Sequence, residues 1–278
     1  MRVPTTIRQL PRLLSDLSIR RRIIRRPLPR QSTFRLCYFS CHSYFKYLVC
    51  AIHSLKSAAS GIRCEIIVFN DIDMPMSDQQ IETLQCMVSG LRVVPWPKSM
   101  GWGVEQITRI WQAYALAAEG MHDDDFIARV DADVFFFNDT IFQAVLRSGA
   151  DMVGDGHFID FAFCQGGCYF LRVSAVRKIV SLLASTPIAN LADQFTPIVE
   201  DVAATYLVRR AGLQVWMTWF MMFPDELRNA GGLSRVQRAK FSCAHFVMKN
   251  KGAMLDTYER EVLPASELAA FRALMGAT

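Results

Sequence analysis

The residues best suited to chemistry lie near the middle of the chain, in Phe126-Ile-Ala-Arg-Val-Asp-Ala-Asp-Val-Phe-Phe-Phe137. Asp131 and Asp133 stand one residue apart inside an apolar run rich in Val, Ile and Phe. Such a run reads as a buried strand. Side chains alternate along a strand, so both carboxylates are expected on one side of its end. Two buried carboxylates are costly unless paired. A hard divalent cation, Mg²⁺ or Mn²⁺, would neutralise them through oxygen ligands and could bridge to a substrate diphosphate. The plain alternative is a pair of solvated loop carboxylates.

The elements around this run set the expected frame. Strands are predicted at 35–40, 64–69 and 91–95, separated by amphipathic helices: one carrying Tyr44, Leu48, Ile52 and Leu55, one over 77–88, and one from Ile107 to Ala118. Ser77 is a suitable cap for the second helix and Gly120 closes the third. This alternation predicts an α/β fold, with a mostly parallel central sheet and helices on both faces. Ligands in such sheets bind beyond the carboxyl ends of the strands. Ser40, Asn70, Asp71, Asp131 and Asp133 fall at those ends. There is no Gly-x-Gly-x-x-Gly and no Gly-x-x-x-x-Gly-Lys, so a bound nucleotide would need a metal and scattered side chains.

Beyond residue 138 the alternation breaks. A helix at 140–147 and a strand at 151–154 lead to Gln165-Gly-Gly-Cys-Tyr-Phe-Leu-Arg172. Paired glycines before a strand allow close backbone approach, or simply make a turn. Residues 196–212 read as a helix with Glu200 and Asp201 in its first turns, where the helix dipole favours acids. Strands at 213–216 and 241–247, the second carrying His245, and a helix at 265–275 complete the chain.

Composition bounds the rest. The 278 residues are 51% hydrophobic, which suits one large globular domain. The eight cysteines lie in apolar segments without zinc-pair spacing and read as reduced core residues of a cytoplasmic protein. No apolar run approaches the ~20 residues of a membrane span. The net charge of +5 hides an asymmetry: residues 1–30 hold nine arginines and one acid, leaving the remainder mildly acidic. Residues 1–33 are therefore set apart as a basic extension, either disordered or lying on an anionic membrane surface, and 34–278 as the globular domain. No nucleic-acid partner is expected.

Four elements in order now carry a resemblance: Arg129-Val-Asp-Ala-Asp133, Gly166-Gly-Cys-Tyr-Phe-Leu-Arg172, Val199-Glu-Asp-Val202 with Gly212 beyond it, and His245 with Lys249 and Lys251. Residues 34–255 resemble nucleotide-sugar glycosyltransferases of the GT-A (Rossmann-like) fold. The resemblance implies Asp131, Asp133 and His245 as ligands of Mn²⁺ or Mg²⁺. It implies Ser40, Asn70, Asp71, Lys98, Arg109, Arg129, Asp131, Gly166, Gly167, Lys249 and Lys251 around the donor, a nucleoside-diphosphate sugar with UDP as the default. Glu200 and Asp201 resemble the acidic pair of inverting members, in which the aspartate deprotonates the acceptor hydroxyl. A retaining enzyme is the alternative, because Cys37-Tyr-Phe-Ser-Cys-His is closer to retaining members, although their glycine and Lys-Pro-Trp after the histidine are missing. A saccharide or glycolipid acceptor at the cytoplasmic membrane face, as in cell-envelope polysaccharide synthesis, is the expected setting. A degenerate, non-catalytic relative at a membrane is the remaining reading.

Overall fold

The computed structural model describes residues 5–28, 31–97, 101–158, 161–223, 240–247 and 251–276. Strands β1 (Phe34–Ser40), β2 (Cys64–Asp71), β3 (Arg92–Trp96) and β4 (Phe126–Val130) run parallel in the order β3-β2-β1-β4. The sheet continues through β7 (Ala162–Arg172), β6 (Met152–Phe158) and β8 (Val215–Met217). β7 is antiparallel to both of its neighbours, and β8 is parallel to β6. A smaller sheet holds β5 (Val134–Phe136), β10 (Cys243–His245) and β9 (Met221–Met222).

The alternation along β1 shows why the sheet is covered on both faces. Phe34, Leu36 and Tyr38 enter one apolar cluster, and Cys37 and Phe39 enter another. The first cluster is completed by α2 (Phe45–Ala58), α3 (Asp78–Met87), α5 (Thr140–Ser148), α8 (Ala253–Glu261), α9 (Leu268–Met275) and the small sheet. The second is completed by α4 (Val104–Ala117), α6 (Val173–Ser185) and α7 (Glu200–Arg210). Both cores are built of buried aliphatic and aromatic side chains, the burial that favours folding.

Local signals placed the ends of these elements. Ser77 and Gln80 form a reciprocal capping box at the start of α3. Gly120, at φ 70°, and Gly212, at φ 69°, stop the chain after α4 and α7 in a conformation that costs glycine little. The cysteines are unpaired, and six of the eight are buried.

Two sequence expectations need correction. The run 126–137 is not one strand. β4 ends at Val130, a turn closed by the Val134 N–H on the Asp131 carbonyl (3.1 Å) follows, and β5 then joins the other sheet. Asp131 and Asp133 therefore meet through a turn between sheets rather than through strand alternation. The helix expected over 196–212 starts at Glu200, so Glu200 and Asp201 are its first two residues.

Residues 5–24 form a helix, α1 (Thr5–Ile24). Asp16 accepts hydrogen bonds from the Thr218 hydroxyl (2.8 Å) and the Trp219 N–H (3.1 Å). Arg20, only 2% exposed, donates to the Lys240 carbonyl, and Ile23 is buried beside it. Arg21, Arg22, Arg25 and Arg26 face solvent.

Candidate active site

The turn Asp131-Ala132-Asp133 leaves the carboxyl end of β4 at the centre of the sheet rim. β7 passes beside it, and the Asp131 N–H donates to the Gly167 carbonyl (2.9 Å). β10 passes on the other side. His245 pairs in register with Val134, and the Phe246 N–H donates to the Asp133 carbonyl (2.9 Å). Three backbone segments distant in sequence thus fix the two aspartates and the histidine by ladder bonds.

Ligand atoms of Asp131, Asp133 and His245 all lie within 4.8 Å of one another. His245 Nε2 is 3.2 Å from Asp133 Oδ1 and 3.6 Å from Asp131 Oδ2. Ligands at about 2.1 Å in an octahedral shell are roughly 3 Å apart, so this donor set fits a hard divalent cation. The seat is also built for the imidazole: a Cβ on Gly167 would come within 2.2 Å of His245 Nδ1. His245 Nδ1 is buried and has no hydrogen-bond partner among the described residues.

Asp133 is 4% exposed. Burial works to raise its carboxyl, but His245 and Lys251 outweigh burial and hold it below the ordinary value. Lys251 Nζ lies 3.1 Å from Asp133 Oδ2 and 4.1 Å from the centroid of the Tyr44 ring, and it also bonds the Tyr44 hydroxyl. Burial lowers this ammonium, and Tyr44 and Asp133 more than restore it, so it stays charged.

The acidic pair at the start of α7 divides into two environments. Asp201 lines the cleft. Its Oδ2 accepts the Gly166 N–H (3.0 Å) and its Oδ1 the Val202 N–H (2.8 Å). Burial raises its carboxyl against those two donors. Glu200 is turned inward: its Oε2 takes an Arg129 N–H, and its Oε1 takes the hydroxyls of Tyr169 and Tyr114 (3.4 Å for the latter). Arg129 reaches back to Asp131 Oδ1 through Nε (3.2 Å) and Nη2 (2.9 Å).

Asp131, Asp133, Glu200, Asp201, Arg129 and Lys251 line a cleft of about 480 Å³, walled also by Phe39, Trp102 and Gln106. Trp102 is 81% exposed at its mouth.

The other expected donor residues spread more widely. Ser40 is buried at the end of β1, in register with Asn70. The side chains of Asn70 and Asp71 accept N–H groups of Met76, Asp73 and Met74, closing the turns after β2. Asp71 also lines a smaller cleft of about 330 Å³ that shares Trp102 with the first. Arg109 makes an exposed hydrogen bond to Gln112 (3.2 Å). Lys98 and Lys249 lie outside the described residues. Tyr114, Tyr169 and Trp102 had no signal that marked them. The two tyrosines sat in apolar patterns, and the tryptophan sat in a loop.

No family model matches the chain, and no curated protein matches its sequence. Solved structures do. An active-site mutant of LgtC superposes with a TM-score of 0.55 at 12% identity, over 88% of this chain and 95% of that one. The galactosyltransferase LgtC in complex with donor and acceptor sugar analogs gives 0.51 at 12% identity over the same shares. The bifunctional glycosyltransferase WbbM gives 0.54 at 10% identity, over 90% of this chain and 52% of that one. The chain has the GT-A fold of these proteins.

Proposed function

We propose that the protein is a glycosyltransferase that moves a sugar from a nucleoside-diphosphate sugar, with UDP the first candidate, to a hydroxyl acceptor. The observation that carries this reading is the convergence of Asp131, Asp133 and His245 at the rim of a GT-A sheet, with Asp201 lining the same cleft as the two aspartates. Asp131, Asp133 and His245 would hold Mn²⁺ or Mg²⁺. When bound, such an ion supplies Lewis-acid stabilisation of the departing diphosphate.

The chain's own residues do the remainder. Lys251, kept charged beside the carboxylates, adds positive charge where the departing diphosphate develops negative charge. Gly166 and Gly167 leave room for the Asp201 and His245 side chains, and the Gly166 N–H aims Asp201. Asp201 acts as the base that takes the acceptor proton, giving inversion at the anomeric carbon. Its raised carboxyl suits that task. Retention is the second reading. The observation on its side is that both Asp201 oxygens already accept backbone N–H groups, which suits a carboxylate that orients and stabilises charge rather than takes a proton.

The test is nucleoside-diphosphate release from a panel of sugar nucleotides with saccharide and glycolipid acceptors, followed by NMR of the product anomer. Transfer with inversion that is lost in Asp201→Asn supports the base role. Transfer with retention removes it, and no release from any donor contradicts the transferase reading.

A peripheral position at an anionic membrane completes the proposal. Exposed Arg21, Arg22, Arg25 and Arg26, with exposed Ile19 and Leu28 among them, support it. Basic residues near such a surface contribute roughly 1 kcal/mol each. No helix among the described residues is long and apolar enough to cross a membrane. Reversing Arg21, Arg22 and Arg25 to Glu should abolish co-sedimentation with vesicles containing anionic lipid. Equal sedimentation of wild type with neutral vesicles would contradict the idea.

A further inference from the structure

Arg129 commits three of its N–H groups to carboxylates: two to Asp131 Oδ1 and one to Glu200 Oε2. Those N–H groups are thereby taken up inside the protein rather than offered to a diphosphate. The geometric consequence lies on Asp131. With Oδ1 held by the guanidinium, Oδ2 is the oxygen turned toward His245 Nε2, 3.6 Å away. A free carboxylate would rotate between these two uses, and the forked guanidinium removes that freedom.

The guanidinium is itself held from behind. Glu200 is 8% exposed; its other oxygen accepts the Tyr169 hydroxyl, and the single Tyr114 hydroxyl proton is shared between Tyr169 Oη (2.7 Å) and that oxygen (3.4 Å). Both tyrosines are completely buried. The chain Tyr114–Tyr169–Glu200–Arg129–Asp131 joins α4, β7, α7 and β4. A buried polar network of this kind is stable only when every member is satisfied, and then it fixes one arrangement.

We infer that Arg129, Glu200, Tyr169 and Tyr114 form a positioning brace that presents Asp131 Oδ2 to the cation, and that Glu200 serves this brace rather than touching substrate. The inference rests on the cation reading proposed above. It separates the two adjacent acids by role: Asp201 faces the reaction, and Glu200 faces the brace.

Hydrogen-bond partners behind metal ligands change metal affinity by about 10–100-fold when removed. The measurement is Mn²⁺ binding to the full chain, followed by the electron paramagnetic resonance signal of free Mn²⁺, for wild type, Glu200→Gln, Tyr169→Phe, Arg129→Lys and Asp201→Asn. Circular dichroism melting confirms that each is folded. Glu200→Gln and Tyr169→Phe are expected to bind Mn²⁺ 10–100-fold more weakly. Arg129→Lys, which keeps the charge and loses the fork, is expected to weaken binding as much, whereas Asp201→Asn keeps wild-type affinity.

Wild-type affinity in Glu200→Gln would overturn the brace. So would an Arg129→Lys variant that binds normally, because charge alone would then suffice. If wild type binds no Mn²⁺, the cation reading itself fails. The brace is then judged by the crystal structure of Glu200→Gln: Asp131 swung away from its wild-type rotamer supports it, and an unmoved Asp131 overturns it.

Discussion

Replacing Gly167 by alanine adds one methyl group at the most crowded point of the site. That Cβ would lie 2.2 Å from His245 Nδ1, 2.6 Å from Cε1 and 2.8 Å from Cγ, all far inside contact distance. Neither partner can retreat freely. Gly167 belongs to β7, its carbonyl accepts the Asp131 N–H, and the next residue, Cys168, is in register with Val130. The imidazole is 4% exposed, with the Phe223 ring 5.8 Å from it and the two aspartates at its other edge. Overpacking of this kind costs about 1–3 kcal/mol, which lowers Tm by several degrees in a chain of this size. The ring must also leave its place beside Asp133, so one of the three proposed ligands is lost. Mn²⁺ affinity should fall at least tenfold, more than for loss of a single supporting hydrogen bond. Gly166→Ala is the matched control: its Cβ meets Asp201 at 3.3 Å, a contact relieved by a shift of a few tenths of an ångström. Melting curves and Mn²⁺ titrations of both variants make the comparison. If Gly167→Ala melts and binds Mn²⁺ like wild type while Gly166→Ala does not, His245 is not seated over Gly167 and the site as described is wrong.

Other outcomes follow from the same geometry. Because His245 and Lys251 hold the Asp133 carboxyl below its ordinary value against burial, the folded state binds its proton less readily than the unfolded chain. The stability this contributes is present above the ordinary aspartate range and is lost as pH falls through the depressed value. Melting in EDTA from pH 6 downward should therefore show a shallower acid limb for Asp133→Asn than for wild type, and identical limbs would contradict the assignment. Asp16→Ala removes the acceptor of the Thr218 hydroxyl and the Trp219 N–H, and should cost about 1–3 kcal/mol in urea unfolding. Faster amide exchange across α1 should accompany it, and unchanged exchange would mean that α1 is held by other contacts. Trp102→Ala, at a side chain 81% exposed beside the cleft, should leave Tm within about 1 °C, since it is not part of the core. A large fall in Tm would show that the indole is packed.

The sequence carried the parallel half of the fold clearly because its signals are local. Alternating apolar runs mark β1, β2 and β4, Ser77 caps α3, and Gly120 and Gly212 stop two helices. The break at Ala132 was not legible. Phe126–Phe137 is apolar on either side of the aspartates apart from Arg129, and the event that divides it is pairing of β5 with β10, more than 100 residues later in the chain. The triad of Asp131, Asp133 and His245 could be assembled from motif order, and the structure brings those three together. The brace could not. Tyr114 looked like one more ring on the buried face of a helix, and only tertiary contact with Tyr169 and Glu200 gives its hydroxyl a use. Asp71 pointed to the strand-end rim correctly, but its carboxylate holds the backbone of the following turn, a common second use for aspartate there. The basic segment was ambiguous because its arginines suit either a solvated arm or a helix. Asp16 and Arg20 tie it to the Thr218 hydroxyl, the Trp219 N–H and the Lys240 carbonyl, contacts with no trace in its own composition.

The central claim is that a nucleoside diphosphate and a divalent cation share the site at Asp131, Asp133 and His245. Thermal denaturation of wild type and Asp133→Ala with UDP, GDP, ADP and CDP, each with Mn²⁺ and with EDTA, tests it most directly. A ligand at one hundred times its dissociation constant stabilises by about 2.7 kcal/mol. The account predicts that one nucleotide raises the wild-type Tm only with Mn²⁺ and leaves Asp133→Ala unmoved. Equal stabilisation of both proteins, or no shift with any nucleotide in folded wild type, would contradict it.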